Sequence, residues 1–275
     1  MTRGRTEHDL RLWGHRGAPA ELPENTLASF RRALERGANA LELDVHLTAD
    51  GVVVVIHDPA GWRVARVPRQ VRECTLREVR RWDVGHGYVA PSRNGRPAPY
   101  RRPHVGCGFG VPTLDELLEE FPDVPLSVDL KAPGRAVREA VLRLIARHEA
   151  ARRVTVASFH TPTIRAVRAS GYPGPTALAR REALLLLGLP RLLAARAVSG
   201  AVGAQVPARQ GPFVFATPGL LAKAHALGLR VDFWSIDDPA EAERLWAMGA
   251  DGIMSNDPAA VAPALGAAQR ARGGW

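Results

Sequence analysis

The stretch ALELDVHL at residues 40–47 alternates apolar and polar side chains, and the turn signal Asp50-Gly51 and the run VVVVI at 52–56 follow it. Alternation with a period of two is typical of a β-strand, and a β-branched run is typical of a buried one. We therefore predict two strands. They are either antiparallel neighbours joined by a tight turn or one strand that continues after a kink.

Strand and helix patterns alternate outward from this stretch to both ends of the chain. Predicted strands lie at 12–14, 40–47, 52–56, 125–130, 154–157, 176–178, 201–206, 229–236 and 252–254. Predicted helices lie at 26–36, 75–82, 135–148, 163–169, 182–195, 218–227 and 239–248, with another that starts at the capping box of Thr113 and closes at Pro122. About eight such units favour a closed (β/α)8 TIM barrel over an open doubly wound sheet. We expect a single domain over residues 1–275.

Two segments depart from the regular alternation. Residues 85–110 are rich in Gly, Pro and Arg without clear periodicity, so we predict an insertion or lid there. Residues 183–195 are the most apolar stretch, yet they are too short to cross a bilayer. We expect a helix packed on the barrel, with shallow peripheral membrane or lysolipid contact as the alternative.

Composition narrows the classes of function. The net charge of +9 comes almost entirely from scattered arginines, which indicates either a compositional bias or attraction of anionic substrates or membrane surfaces. With 6% aromatic residues and no dense basic stripe, we expect no nucleic-acid binding. The two cysteines are too few for a disulfide framework. The charged N-terminus lacks the apolar run of a secretory signal, so we expect a cytoplasmic protein, and nothing indicates an oligomeric state.

Carboxylates follow the predicted strands at the ends where the active site of such a barrel lies. Glu42 and Asp44 are two residues apart, so both point to one face of their strand, away from the apolar residues between them. That face is either exposed to solvent or directed into the mouth of the barrel. In the barrel the two carboxylates repel each other and need a cation, and Asp129 supplies a third carboxylate. Such hard oxygen ligands favour Mg²⁺ or Ca²⁺.

Histidines and cations lie beside these carboxylates. His15 and His57 each follow a predicted strand. A histidine in that position is often structural, but two beside a carboxylate cluster can serve as general acid and base. Arg16 follows the first of them, and Lys131 shares a strand face with Asp129. Both cations can hold an anion such as a phosphate.

A series of short motifs stands in order along almost the whole chain. They are GHRG at 14–17, PENT at 23–26, ELD at 42–44, HD at 57–58, VPTLDE at 111–116, SFH at 158–160, VDFWSIDD at 231–238 and ADGIMSNDP at 250–258. Each motif is weak alone. Together, in this order and spacing, they resemble the signature of the glycerophosphodiester phosphodiesterase family.

The resemblance implies a metal-dependent phosphodiesterase. Glu42 and Asp44 would bind one divalent cation that bridges to a phosphate oxygen, with Asp129 at the third metal position. His15 and His57 would form the acid–base pair, one activating the attacking hydroxyl and the other protonating the leaving alcohol. An attack by the substrate's own glycerol hydroxyl, through a cyclic phosphate, is among the routes that the resemblance implies.

Further roles follow from the same resemblance. Arg16 would stabilise the developing charge, Lys131 would hold the phosphate, and Trp234 would line the glycerol or leaving-group side. Asn25 would be either a site residue or the cap of the helix that follows it.

The chain departs from the family pattern at two positions. The third metal ligand is usually Glu in an E-x-K pair, whereas here it is Asp129 in D-L-K, a pair that resembles the related sphingomyelinase D toxins. The shorter side chain means that the metal moves or that a water fills the gap. At the second position, Asn256 replaces a common Asp, and we expect it to affect only loop structure.

Three functions remain open from the sequence. The first is metal-dependent hydrolysis of glycerophosphodiesters, as small-molecule substrates, to glycerol 3-phosphate and an alcohol. The second is phospholipase D–like hydrolysis or transphosphatidylation of lysophospholipids or sphingolipids, with 183–195 and 85–110 in contact with lipid. The third, a non-enzymatic binding module, is disfavoured because His15, Glu42, Asp44 and His57 are all present.

Overall fold

The computed structural model describes residues 10–89 and 102–272, in which strands and helices alternate along the chain. The strands are β1 (Arg11–His15), β2 (Ala40–Leu47), β3 (Val53–Val55), β4 (Leu126–Leu130), β5 (Val154–Ala157), β6 (Gly203–Pro207), β7 (Arg209–Gln210), β8 (Phe213–Val214), β9 (Arg230–Trp234) and β10 (Gly252–Ser255). The helices are α1 (Leu27–Glu35), α2 (Trp62–Ala65), α3 (Leu76–Val79), α4 (Leu114–Glu120), α5 (Arg135–Arg147), α6 (Thr161–Ala169), α7 (Arg180–Gly188), α8 (Arg191–Ala197), α9 (Pro218–Ala226), α10 (Pro239–Met248) and α11 (Pro258–Arg272). Short 3-10 turns lie at Val71–Glu73, Val84–Gly87 and Ala150–Arg152.

The parallel strands form a closed circuit. Their order is β5-β4-β2-β1-β10-β9-β6. The isolated pairings of Val156 with Thr176 and of Ala177 with Gly203 place residues 176–177 between β5 and β6. This short segment supplies the eighth strand position of a TIM-barrel-like fold with helices outside. The predicted fold class is therefore confirmed.

The alternation in β2 separates core from site. Leu41, Leu43 and Val45 are buried in the main hydrophobic core together with helix residues such as Phe30. Glu42 and Asp44 alternate with these residues and face the inside of the barrel, where charged side chains and not apolar ones meet. The C-terminal half of β2 pairs with β3, and Val45 lies opposite Val55. The two strands are antiparallel, which confirms the first of the two alternatives that the sequence left open.

The predicted helix over 182–195 is wrong as a single element. It is two helices, α7 and α8, which Leu189 separates with an extended backbone at ψ 150°. Pro190 lacks an N–H and disfavours helical backbone at the residue before it, so the helix ends there. Leu192 on α8 is 80% exposed. Within the described ranges, no helix has the length and apolar content to traverse a bilayer.

The predicted insertion at 85–110 lies partly outside the described residues, at 90–101. Its described ends contact each other and the loop after β1. The Val84 N–H donates to the Phe109 carbonyl at 2.9 Å, and the Tyr88 hydroxyl donates to the Ala20 carbonyl at 3.0 Å. His104 Nε2 lies 3.1 Å from the Glu21 carbonyl oxygen. The segment is thus closed at its base, next to the loop that leads to α1.

Candidate active site

A cavity of about 370 Å³ opens at the carboxyl ends of the barrel strands. Its charged and imidazole lining consists of His15, Arg16, Glu42, His57, Asp129, Lys131 and Arg180. Its apolar wall, formed by the segment after 177 with α7, β6 and the β7–β8 hairpin, contains Leu178, Ala183, Leu184, Val206 and Phe215. No described residue of 85–110 lines this cavity. The site therefore combines a charged region with an apolar wall, at the end of the barrel where the sequence predicts it.

His15 ends β1, and Asn256 fixes its protonation pattern. The backbone N–H and Nδ2 of Asn256 donate to Asp237 at 2.7 and 2.9 Å, so Asn256 Oδ1 faces His15 Nδ1 at 2.7 Å. An oxygen acceptor requires a hydrogen on Nδ1, which leaves Nε2 free to exchange a proton. Burial, followed by the charge of Arg16, lowers the pKa of His15.

The expectation that Asn256 affects only loop structure is wrong. The residue touches the imidazole of His15 directly, across a separation of 241 positions in the sequence. The contact arises because β10 lies beside β1 in the sheet. No pattern within either segment signals it.

His57 follows β3 and has a carboxylate partner. Its Nδ1 lies 2.6 Å from Asp58 Oδ1, and Arg63 Nε donates to the other oxygen of Asp58 at 2.6 Å. Arg63 also donates twice to Glu24, each at 2.7 Å, and Glu24 in turn contacts Arg16 at 3.3 Å. Burial raises the pKa of Asp58, but hydrogen bonds from Arg63 and His57 outweigh it and lower this pKa. The sequence did not predict this ion-pair chain, which runs from His57 to Arg16.

The carboxylate cluster consists of Glu42, Asp44 and Asp129. Asp44 on β2 lies directly opposite Asp129 on β4. Asp44 is 0% exposed, and its oxygens lie 2.8 Å from Lys131 Nζ and 3.0 Å from Arg16 Nε. Although burial raises the pKa of Asp44, these two cations hold it at about 2. Asp44 is therefore ionised at neutral pH.

Glu42 and Asp129, the other two members of the cluster, ionise less readily than Asp44. Burial and the neighbouring Asp44 raise the pKa of Glu42 well above its ordinary value. Burial also raises the pKa of Asp129. Asp129 Oδ1 is buried and accepts no hydrogen bond within the part of the chain that the structure describes. Three carboxylates thus lie beside two cations, Arg16 and Lys131, so ionising all three at once requires a further cation.

Lys131 occupies the space between two of the predicted metal ligands. Its Nζ lies 2.6 Å from Asp129 Oδ2 as well as 2.8 Å from Asp44. In residues 10–89 and 102–272, no three carboxylate, imidazole or thiol side chains converge closely enough to hold a metal ion. The structure brings Glu42, Asp44 and Asp129 together, but with an ammonium among them.

Asn25 contacts the carboxylate cluster and is not a helix cap. Its Nδ2 donates to Asp44 Oδ2 at 3.0 Å, and it is 3% exposed. The cap of α1 is Thr26, whose Oγ1 accepts the N–H of Ser29 at 3.1 Å. The alternative of Asn25 as a cap is therefore wrong.

Trp234 ends β9 and lines the cavity. Its ring lies edge-to-face with Phe159 at 6.0 Å. Lys131 Nζ lies 5.4 Å from the Phe159 ring, a cation–π contact that the sequence did not predict. These aromatic rings connect the charged lining to the apolar wall.

Comparison with known proteins gives one consistent answer. The model of the glycerophosphoryl diester phosphodiesterase family matches residues 15–260. A glycerophosphodiester phosphodiesterase of Caldanaerobacter subterraneus subsp. tengcongensis is 29% identical over 252 residues, covering 89% of this chain and 93% of that protein. A lysophospholipase D of Rattus norvegicus is 24% identical over 276 residues, covering 89% and 82%.

A solved structure agrees with these relatives. It is a crystal structure from Silicibacter pomeroyi DSS-3, assigned to the glycerophosphoryl diester phosphodiesterases. It superposes with a TM-score of 0.73 at 30% identity, covering 93% of this chain and 92% of that one. This chain belongs to the glycerophosphoryl diester phosphodiesterase family and is an enzyme of the phosphodiesterase class.

Proposed function

We propose that this chain hydrolyses glycerophosphodiesters to glycerol 3-phosphate and an alcohol with one bound divalent cation, Mg²⁺ or Ca²⁺. The observation that carries the proposal is the meeting of His15 and His57 with the carboxylate cluster at one cavity. Paired proton-exchanging groups beside a cation site and two phosphate-binding cations are what cleavage of a phosphodiester requires.

The carboxylate cluster fits a divalent cation by its chemistry. Its ligands are hard oxygens, and the buried, unpartnered Asp129 Oδ1 is available to a metal. When bound, the cation would supply Lewis-acid stabilisation of charge on a phosphate oxygen. The cation would compete with Lys131 for the oxygens of Asp44 and Asp129. Lys131 and Arg16 would hold the phosphate and balance its charge.

The two histidines would move the protons. His15, hydrogen-bonded to Asn256 through Nδ1, presents Nε2 with its lone pair. His57 is held by Asp58, whose carboxylate orients the ring through Nδ1. One ring would accept the proton of the attacking hydroxyl, and the other would donate a proton to the leaving alcohol.

The apolar wall favours a second candidate function, phospholipase D–like cleavage of lysophospholipids or sphingolipids. Leu178, Leu184 and Phe215 give the cavity a surface along which an acyl chain can lie. One relative already described is named a lysophospholipase D. Soluble diesters remain the first candidate because the family name refers to them.

An assay of metal-stripped protein tests the proposed function. We expect release of glycerol 3-phosphate from soluble diesters such as glycerophosphoethanolamine and glycerophosphoinositol. We further expect EDTA treatment to abolish this release, and Mg²⁺ or Ca²⁺ to restore it, since the bound cation would stabilise the charge on a phosphate oxygen. Product is measured with a coupled glycerol 3-phosphate assay.

The same assay separates the candidates. Full turnover of the soluble diesters after metal stripping would contradict the cation requirement. Turnover of lysophosphatidylcholine without turnover of any soluble diester would favour the second candidate. As a control, the unfolding temperature of the stripped protein should show that it is still folded.

Asn256→Ala is expected to lower kcat about 10–100-fold, the usual cost of losing a partner that orients a reactive imidazole. The hydrogen bond that His15 donates to Asn256 raises the pKa of His15, so its loss lowers that pKa further. The limb of the pH–rate profile that reports His15 should therefore move to lower pH, and whether it is the acidic or the basic limb identifies the role of His15.

The matched control is Ser255→Ala. The Ser255 hydroxyl donates to the same Asp237 carboxylate at 2.9 Å but does not touch His15. This control should leave both limbs in place. If Asn256→Ala keeps the wild-type rate and profile, Asn256 does not position His15.

A further inference from the structure

Arg180 is a cationic side chain that lines the cavity beside the apolar wall. It is the first residue of α7, it is exposed, and it lines the cavity close in sequence to Leu178 and Leu184. It follows the short strand position at 176–177, so it lies at the carboxyl end of the barrel where substrates bind. The phosphate-binding cations Arg16 and Lys131 are already paired with the carboxylate cluster, whereas Arg180 is not part of that network.

The backbone that carries Arg180 is held firmly. Arg168 donates to both oxygens of Glu182, at 2.8 and 3.1 Å, and to the Ala177 carbonyl at 3.1 Å. Glu182 also accepts the Ala179 N–H at 3.0 Å. The start of α7 is therefore tied to the barrel on both sides of Arg180, while the Arg180 side chain extends from a fixed point.

Among the residues that the structure describes, no carboxylate pairs with Arg180. Glu182, two residues away, is buried and bound by Arg168. From 183 to 231, which includes the rest of α7, β6 and the β7–β8 hairpin, the chain contains no Asp or Glu. The carboxylates among the cavity-lining residues, Glu42 and Asp129, belong to the carboxylate cluster. Within the described residues, Arg180 makes no ion pair.

We propose that the leaving alcohol of a soluble diester lies against the apolar wall, and that Arg180 there makes this cavity selective for diesters whose leaving alcohol carries a negative charge. Opposite charges a few ångströms apart near a protein surface attract strongly enough to change binding about tenfold. The same residue repels an ammonium alcohol such as choline, for which the apolar wall offers no carboxylate. The inference rests on the proposed function, since it names the substrate class of that same site. The expected order of kcat/KM is anionic, then neutral, then cationic alcohol.

The test compares three substrates that differ in the charge of the alcohol. They are glycerophosphoinositol 4-phosphate, glycerophosphoinositol and glycerophosphocholine. Dividing kcat/KM for glycerophosphoinositol 4-phosphate by kcat/KM for glycerophosphoinositol gives the preference for the anionic alcohol. Arg180→Glu is expected to lower this ratio about tenfold or more. The same variant should raise kcat/KM for glycerophosphocholine relative to that for glycerophosphoinositol. Because the charges are exposed, the wild-type preference should weaken as salt increases.

Arg181→Glu is the matched control, because Arg181 is the exposed neighbour on the same helix but does not line the cavity. It should change the ratio less than Arg180→Glu does. An equal effect of the two variants on this ratio would overturn the proposal. An equal fall in kcat/KM for all three substrates in Arg180→Gln would also overturn it, because that result would mean that Arg180 binds the scissile phosphate. If the wild type cleaves no diester at all, the proposed function fails instead.

Discussion

An Asp44→Ala variant is expected to have a free energy of unfolding about 3 kcal/mol lower than that of the wild type. The variant should also show no measurable turnover. The Asp44 carboxylate is wholly buried and lies between Lys131 and Arg16. The side chains of these two cations are only 17% and 19% exposed, so removing the carboxylate leaves two poorly solvated charges facing each other. Denaturation in urea at pH 7 measures the change in stability.

The pH dependence of this stability difference has a definite sign. The pKa of Asp44 in the folded protein is about 2, below its ordinary value of 3.8. Its contribution is therefore fully present above pH 3.8 and is lost as the pH falls through about 2. The difference between wild type and variant should be constant from pH 7 to about 4 and should narrow below that.

Glu120→Ala is the control for the Asp44 prediction. Glu120 pairs with Arg31 at the surface, where the Arg31 side chain is 56% exposed. Such pairs contribute about 0–1 kcal/mol. If Asp44→Ala costs no more than Glu120→Ala, the charge network at Asp44 does not stabilise the fold.

Replacing His57 or His15 by alanine is expected to lower kcat by about 10²–10⁴-fold, the usual contribution of a general acid or base. The His57 side chain is 32% exposed and the His15 side chain lines an open cavity, so neither change leaves a sealed void. The unfolding temperature should therefore change little while the rate collapses. Steady-state kinetics and thermal denaturation separate the two effects.

His148→Ala is the matched control for the histidine variants. His148 pairs with Asp115 and is not among the residues that line the cavity. Its removal should leave kcat close to the wild-type value. If either His15→Ala or His57→Ala retains a rate like that of His148→Ala, that histidine is not part of the acid–base pair.

Local patterns in the sequence predicted the framework of the site well. The alternation of β2 placed Glu42 and Asp44 on the inner face, and the capping box at Thr113 started α4 where expected, with the Thr113 N–H donating to Glu116 at 2.8 Å. These features depend on residues within a few positions of one another. Backbone periodicity and capping chemistry are sufficient to reveal them.

Contacts made by closing the barrel were beyond the reach of such patterns. Asn256 meets His15 across 241 positions, and Arg63 meets Glu24 across 39. The carboxylate partner of each arginine is decided by which strands and loops become neighbours, and a sequence rich in arginine offers many pairings. The break at Pro190 is different, because the proline that ends α7 is visible in the sequence itself.

The short strand position at 176–177 has a consequence for how the enzyme can change over evolutionary time. This segment joins its neighbours through isolated pairings, whereas the other barrel strands share continuous ladders. The residues just after it, Leu178 and Arg180, form part of the apolar wall. The least regularly paired position of the barrel and the proposed substrate-binding surface therefore coincide. New specificities can arise there by insertion or substitution, because the continuous ladders that hold the proposed catalytic groups lie elsewhere in the barrel.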